Sequence, residues 1–338
     1  MHAKNQAKSL QLSVLQRVYQ SQDTLEYQGA EVIKAKTHSS PRVIYKGRQK
    51  ESKKQALMAG AYKNEVKRMK KEKVFYYKAY SDDFFCEDKP LPEIDGSYVY
   101  IKRGFFYKIR SFIAYRLIAA PIAFIYSKLV LRDKFVGKEK LRAYKKKPYF
   151  LYGNHTQPIG DAFSPNVLVF PKKLYVIVDK ANLALPVIKK ATGLLGALPL
   201  PDGLAAGRNF HSAIKTRLSE GAAIAVYPEA HVWPYYTGIR PFGEETLDFP
   251  VRTDTPVFTI TRVYKKRKHS KKPRSVIYVD GPFFPDGELP KRERRKKLRD
   301  EVYSAMKERA ALSDTEYYKY YMEENAQPQS EQTKNLQS

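Results

Sequence analysis

Residues 148–161 read PYFLYGNHTQPIGD: an unbroken apolar and aromatic run closes on Gly153, and Asn154, His155 and Asp161 follow across a segment holding Pro158 and Gly160. A short uninterrupted run bounded by turn residues is the pattern of a strand buried on both faces, as in parallel α/β sheets. The texture repeats downstream in KLYVIVDK (173–180), GALPLPDG (196–203), AAIAVYPE (222–229), PVFTITRVY (256–264) and SVIYVDGPF (275–283). Between the third and fourth of the six runs, FHSAIKTRLSEG (210–221) is apolar at 210, 213, 214 and 218 and is stopped by Gly221, which predicts an amphipathic crossover helix. The expected fold is α/β: a mixed, largely parallel sheet flanked by helices. The last two runs are expected to be antiparallel neighbours, joined by a loop, KKRKHSKKPR (265–274), that projects cations from the sheet edge. A basic helix over 291–312 and a polar, frayed tail over 313–338 are expected to close the chain.

Upstream the pattern changes. The longest apolar stretch, LIAAPIAFIY (117–126), contains Pro121 and is about half the length a membrane span requires. The wider window 104–131 interleaves Phe, Ile, Leu and Tyr with Lys108, Arg110, Arg116 and Lys128, which predicts a pair of interfacial helices with cationic heads reaching toward phosphates. Residues 1–73 are polar and basic without a broad apolar face, and are expected to form a mobile extension. The expected organisation is therefore 1–73 extension, 74–135 membrane-interface segment, 136–312 main domain and 313–338 tail. The opening MHAKNQAKSLQLSVLQRVYQ breaks its apolar residues with Gln, Ser and Arg, so no signal-peptide core is expected.

Composition narrows the function. Lys and Arg total 62 against 35 Asp and Glu, a net charge of +27, so an anionic partner is expected. One cysteine, Cys86, rules out an intrachain disulfide or a thiolate zinc site and fits a reducing cytoplasm. The acidic surroundings of Cys86, SDDFFCEDK, would raise its thiol pKa, and no GxSxG elbow is present, so a hydrolase lacks its nucleophile. GxGxxG, Walker A and HExxH are likewise missing. A nucleic-acid binder would use the cations and the 26 tyrosines, but no zinc-finger spacing or RNP string accompanies them and the apolar 104–131 segment would have no role.

Reactive groups in doubly wound folds gather at strand C-terminal ends. Here the first run delivers Asn154, His155 and Asp161, and the fourth delivers Glu229 and His231. Histidine is the usual general base near neutral pH, and a nearby carboxylate fixes its tautomer and stabilises the imidazolium. Pro158 and Gly160 turn the chain between His155 and Asp161, so the two can meet; read alone, His155 fits a turn histidine and Asp161 a turn or helix-cap residue better than a catalytic group.

Taken together, GNHTQPIGD, KANLALP (180–186), GALPLP (196–201), YPEAH (227–231) and DTPVFTI (254–260), preceded by GKEKL (137–141), resemble the successive motifs of the glycerolipid acyltransferases, specifically the lysophosphatidate type, in a divergent, bacterial-looking form. The resemblance runs over about 136–285. It implies a ternary complex in which His155 deprotonates the acceptor hydroxyl and Asp161 orients it, with no metal and no covalent acyl-enzyme. It also implies that Glu229 helps hold the glycerol part of the acceptor. The implied acceptor is a lysolipid, 1-acylglycerol-3-phosphate above all. The donor is acyl-CoA, an acyl carrier protein thioester or an acyl phosphate. An anionic membrane surface at the cytoplasmic face of the cell membrane is the expected partner, with an acyl carrier protein as a second partner, and no nucleic acid.

The chain departs from the family pattern in three places. Five residues, not four, separate His155 from Asp161; Pro201 stands where the second motif ends in Arg; and Val232 stands where the third motif carries its phosphate-binding Arg. Lys180, Arg208 and Arg240, with His231 and Asn154, are the candidates to complete the acceptor site, since a phosphate is held by an Arg fork or a Lys. An inactive lipid-binding member of the same fold is the alternative that the missing arginines raise.

Overall fold

The structure is a computed structural model that describes residues 68, 71–85, 91–183 and 192–323. The basic extension expected over 1–73 lies almost wholly outside the described residues.

Seven strands form the main sheet: β2 (Lys134–Val136), β3 (Tyr149–Gly153), β4 (Leu174–Val178), β5 (Ala197–Pro199), β6 (Ala223–Val226), β7 (Val257–Arg267) and β8 (Ser270–Phe283). Their order across the sheet is β2-β8-β7-β3-β6-β4-β5. β7, β3, β6, β4 and β5 are parallel, and β7 and β8 form the expected antiparallel pair. The sheet is thus mixed and largely parallel, with helices on both faces, as the apolar runs predicted.

Alternation explains the two cores. All five residues of β3 are buried. Phe150 and Tyr152 point to one face, against Phe210, Ile214 and Leu218 of α3 (Gly203–Ser219) and Leu298, Val302 and Met306 of α5 (Lys291–Ala310). Tyr149 and Leu151 point to the other, with Phe258, Ile260, Ile277 and Val169, the last from α2 (Gly160–Val169). A short α4 (Asp248–Thr253) precedes β7.

Three expectations are corrected. The interfacial segment is one helix, α1 (Phe105–Leu131), and not a pair; its 27 residues are long and apolar enough to cross a membrane. Two stretches of α1, Ile113–Ala119 and Tyr126–Leu131, widen to π-helical turns. An α-helix carries positions four apart gradually off a face, and wider π turns bring them back. Ser111, Tyr115, Ala123 and Ser127 consequently all face the domain and are buried. The opposite side exposes Phe106, Phe112, Leu117, Ile122, Phe124 and Leu129. Pro121 sits just past the first π stretch, where the hydrogen-bond ladder is already shifted, so it does not break the helix.

Second, the expected cationic loop at 265–274 is not a loop. β7 and β8 pair through it, Lys265 with Arg274 and Arg267 with Ser270, leaving a tight turn at Lys268 and His269. Third, the tail is not frayed where it is described: Lys319–Met322 forms β9, paired in parallel with β1 (Val74–Tyr77). The aromatic content of both strands supplies the reason, because Phe75, Tyr77 and Tyr320 pack with Phe84 around Trp233 in a third, separate core.

Candidate active site

The C-terminal ends of β3 and β6 are side by side, so the loops that leave them meet. His155 emerges two residues beyond β3 with its side chain part-buried. Its Nδ1 lies 2.8 Å from Asp161 Oδ2. That oxygen also accepts the backbone N–H groups of Thr156 and Gln157, each at 2.8 Å. The extra residue between His155 and Asp161 is absorbed here: the chain wraps around the carboxylate and Asp161 enters the first turn of α2, where the helix dipole favours negative charge. With Nδ1 held by the carboxylate, Nε2 is the ring nitrogen left to act on a proton.

Four residues not singled out in the sequence surround the dyad. Tyr227 stacks on the imidazole, with ring centroids 4.6 Å apart and planes 22° apart, and its hydroxyl donates to the Asp161 carbonyl. Burial raises the Tyr227 phenol well above its ordinary pKa, so it stays a neutral donor. Arg262 is buried beneath the dyad, with its Nε 3.5 Å from Asp161 Oδ1 and its Nη1 2.7 Å from Asp133 Oδ1. Burial alone would lower the pKa of Arg262, but Asp133 and Asp161 outweigh it and hold the guanidinium firmly protonated. Ser164 bridges the cluster by accepting from Arg262 Nη2 at 2.7 Å and donating to Asp133. The signal for Arg262 was available: a single charge inside the apolar run PVFTITRVY must find buried partners. Asp133 and Tyr227 carry no comparable local signal.

The remaining predicted residues separate into those brought to the dyad and those held away from it. Asn154 is buried and both ends of its amide are engaged by the main chain of Arg262: Nδ2 donates to the carbonyl at 2.9 Å and Oδ1 accepts the N–H at 2.8 Å. It joins β3 to β7 and presents no polar atom to a substrate. Glu229 accepts the His155 backbone N–H at 3.1 Å, so it touches the dyad loop, yet its side chain is fully buried. Its partner is Arg240, equally buried, which donates through the backbone N–H at 3.0 Å and through Nη2 at 3.2 Å. Arg240 also donates to the carbonyls of Tyr80 and His231 and lies over the Trp233 ring at 4.7 Å. Arg240 was expected to offer charge to a phosphate; its guanidinium is instead sealed inside the molecule.

His231 is part-exposed, with Nδ1 3.3 Å from Asp83 Oδ2. Lys180, just past β4, pairs with Asp202 at 2.7 Å, just past β5. Arg208 is exposed on α3. β4 and β5 run parallel to β3, so Lys180 and the start of α3 share the edge that carries His155. The loop after β6 is strapped to the dyad loop by main-chain bonds: Trp233 N–H to the His155 carbonyl at 2.9 Å, and Tyr235 N–H to the Thr156 carbonyl at 3.0 Å.

No family model matches the chain, and no curated protein matches it. Among solved structures, one that it is similar to is the crystal structure of the 1-acyl-sn-glycerophosphate (LPA) acyltransferase PlsC from Thermotoga maritima. The TM-score is 0.45 and the identity 17%, over 64% of this chain and 87% of that one.

Proposed function

We propose that this protein is an acyltransferase that joins a fatty acyl chain to a hydroxyl of a glycerol(phospho)lipid, with 1-acylglycerol-3-phosphate as the leading acceptor. The observation that carries the reading is the His155 Nδ1 to Asp161 Oδ2 contact of 2.8 Å, in a dyad whose carboxylate is fixed by two backbone N–H groups. The motif order read along the sequence supports the same chemistry. His155 Nε2 removes the proton of the acceptor hydroxyl as its oxygen attacks the donor carbonyl. Collapse of the tetrahedral adduct breaks the bond to the leaving group, a thiolate or a phosphate, and the imidazolium returns the proton to it. Asp161 stabilises the imidazolium between those steps. The donor is an acyl-CoA, an acyl carrier protein thioester or an acyl phosphate.

With Arg240 and Glu229 enclosed, Lys180, Arg208 and His231 are the groups left to meet the acceptor phosphate on this reading. The enzyme would work at the cytoplasmic face of the cell membrane as a peripheral or monotopic protein. The exposed apolar side of α1 and the charge of +27 support that placement. The test is acyl transfer from labelled thioesters to a panel of lysolipids and glycerol phosphates on anionic vesicles, wild type beside His155→Ala. Transfer by the wild type that disappears in the variant supports the reading; no transfer across all donors and acceptors rejects it.

A further inference from the structure

The tip of the β7–β8 hairpin has no role in the chemistry above, and its position is unusual. β3 ends at Gly153, opposite Ile260, while β7 continues to Arg267. Seven residues at about 3.3 Å each carry the hairpin about 23 Å beyond its β3 neighbour, past the edge where His155 sits. On the other side, β2 begins only opposite Val276. The last hydrogen bond that holds it among the described residues is at Lys266, whose N–H donates to Asp314. The projecting part carries Arg267, Lys268, Lys271, Lys272 and Arg274, and no carboxylate occurs between Tyr264 and Asp280. Among the described residues none of these five cations has an ion pair, and Lys268, Lys271, Lys272 and Arg274 are exposed.

The same edge receives the end of α1. A Cβ on Gly160 would meet Leu131 at 2.6 Å, and Asp133, two residues further, binds Arg262 on β7. The exposed apolar side of α1, with Ile122, Ile125 and Leu129 near this end, therefore rises toward the edge from which the cationic tip projects. An acidic protein or a nucleic acid would satisfy the cations and leave the apolar residues in water. An anionic bilayer interface satisfies both, with acyl chains for one and lipid phosphates for the other.

We infer that the β7–β8 hairpin tip is an electrostatic foot that rests on anionic lipid headgroups and, with α1, presents the His155 edge to the membrane. The inference rests on the reading that this edge meets lipid, but its test involves no turnover. The full chain and the variant Lys268→Gln/Lys271→Gln/Lys272→Gln are floated with phosphatidylcholine vesicles and with equimolar phosphatidylcholine–phosphatidylglycerol vesicles. Removal of three surface cations is expected to lower partition onto the anionic vesicles on the order of a hundredfold and to leave partition onto the neutral ones unchanged. The altered side chains are exposed, so the melting temperature should not move. Equal partition of variant and wild type onto anionic vesicles overturns the inference. So does a loss confined to binding of an acidic carrier protein or of RNA, which would give the tip a different partner. If the wild type transfers no acyl group, the flotation result is unaffected.

Discussion

The loops that follow β3 and β6 leave adjacent parallel strands, each carries a histidine and a carboxylate, and they have opposite fates. In the first, Asp161 is buried and His155 is only part-buried, so one charge is fixed beside a partly exposed imidazole. In the second, Glu229 is buried together with its cation Arg240, and the pair closes on itself. Both carboxylates sit where the motifs would put functional groups. Only one of them is coupled to an accessible proton acceptor. A carboxylate at a strand end can therefore carry a task of architecture, here holding the His155 backbone N–H and the Arg240 loop together.

The comparison is open to direct attack. His155→Ala should lower kcat by about a thousandfold or more with little change in melting temperature, because a proton acceptor is lost and no core volume; undiminished turnover would remove the dyad from the mechanism. Arg240→Met should do the reverse, lowering unfolding free energy in urea by about 3–5 kcal/mol through the stranded Glu229 charge. A raised KM with unchanged stability would instead make Arg240 a substrate ligand. Asp161→Asn keeps the backbone contacts but removes the charge, and should reduce kcat by about a hundredfold while KM holds.

The cluster beneath the dyad adds a pH dependence. Burial alone would raise the pKa of Asp133, but Arg262 and the hydroxyls of Ser164, Ser275 and Ser127 bring it below the ordinary carboxylate value. Its contribution to stability is therefore complete above about pH 4 and is lost as pH falls through the depressed folded value. Urea titrations across that range should show Asp133→Asn losing less stability on acidification than the wild type. The smallest effect belongs to Ala230, which is exposed and holds a left-handed conformation at φ 66°. Ala230→Gly should raise stability by about 0.5–1 kcal/mol, relieving strain that the Glu229 loop stores.

How much of this the sequence carried depends on the range of the interactions. The six apolar runs each became a strand, because burial on both faces imprints an uninterrupted pattern on a few consecutive residues. His155 and Asp161 were legible because the turn between them is local. Arg240 was misread since nothing nearby in sequence announces that Tyr80, Trp233 and Glu229 will enclose it. β1 and β9 were invisible for the same reason: each is a short aromatic segment that becomes a strand only against the other. The single helix α1 was hidden by Arg116, a charge within the apolar run, and Pro121, a helix breaker, both of which a π-widened helix tolerates.

The pairing of β1 with β9 also imposes an order on biogenesis. β1 is made before any strand of the main sheet and β9 after all of them, so the aromatic packing around Trp233 cannot be completed by Tyr320 on a nascent chain until synthesis has passed Met322. Trp233 donates its backbone N–H to the His155 carbonyl, and that anchor gains its stacked partner Tyr320 only then. A ribosome-bound chain would thus carry a formed sheet before the β1–β9 layer is in place, and the loops around His155 would gain their last support at the end of synthesis.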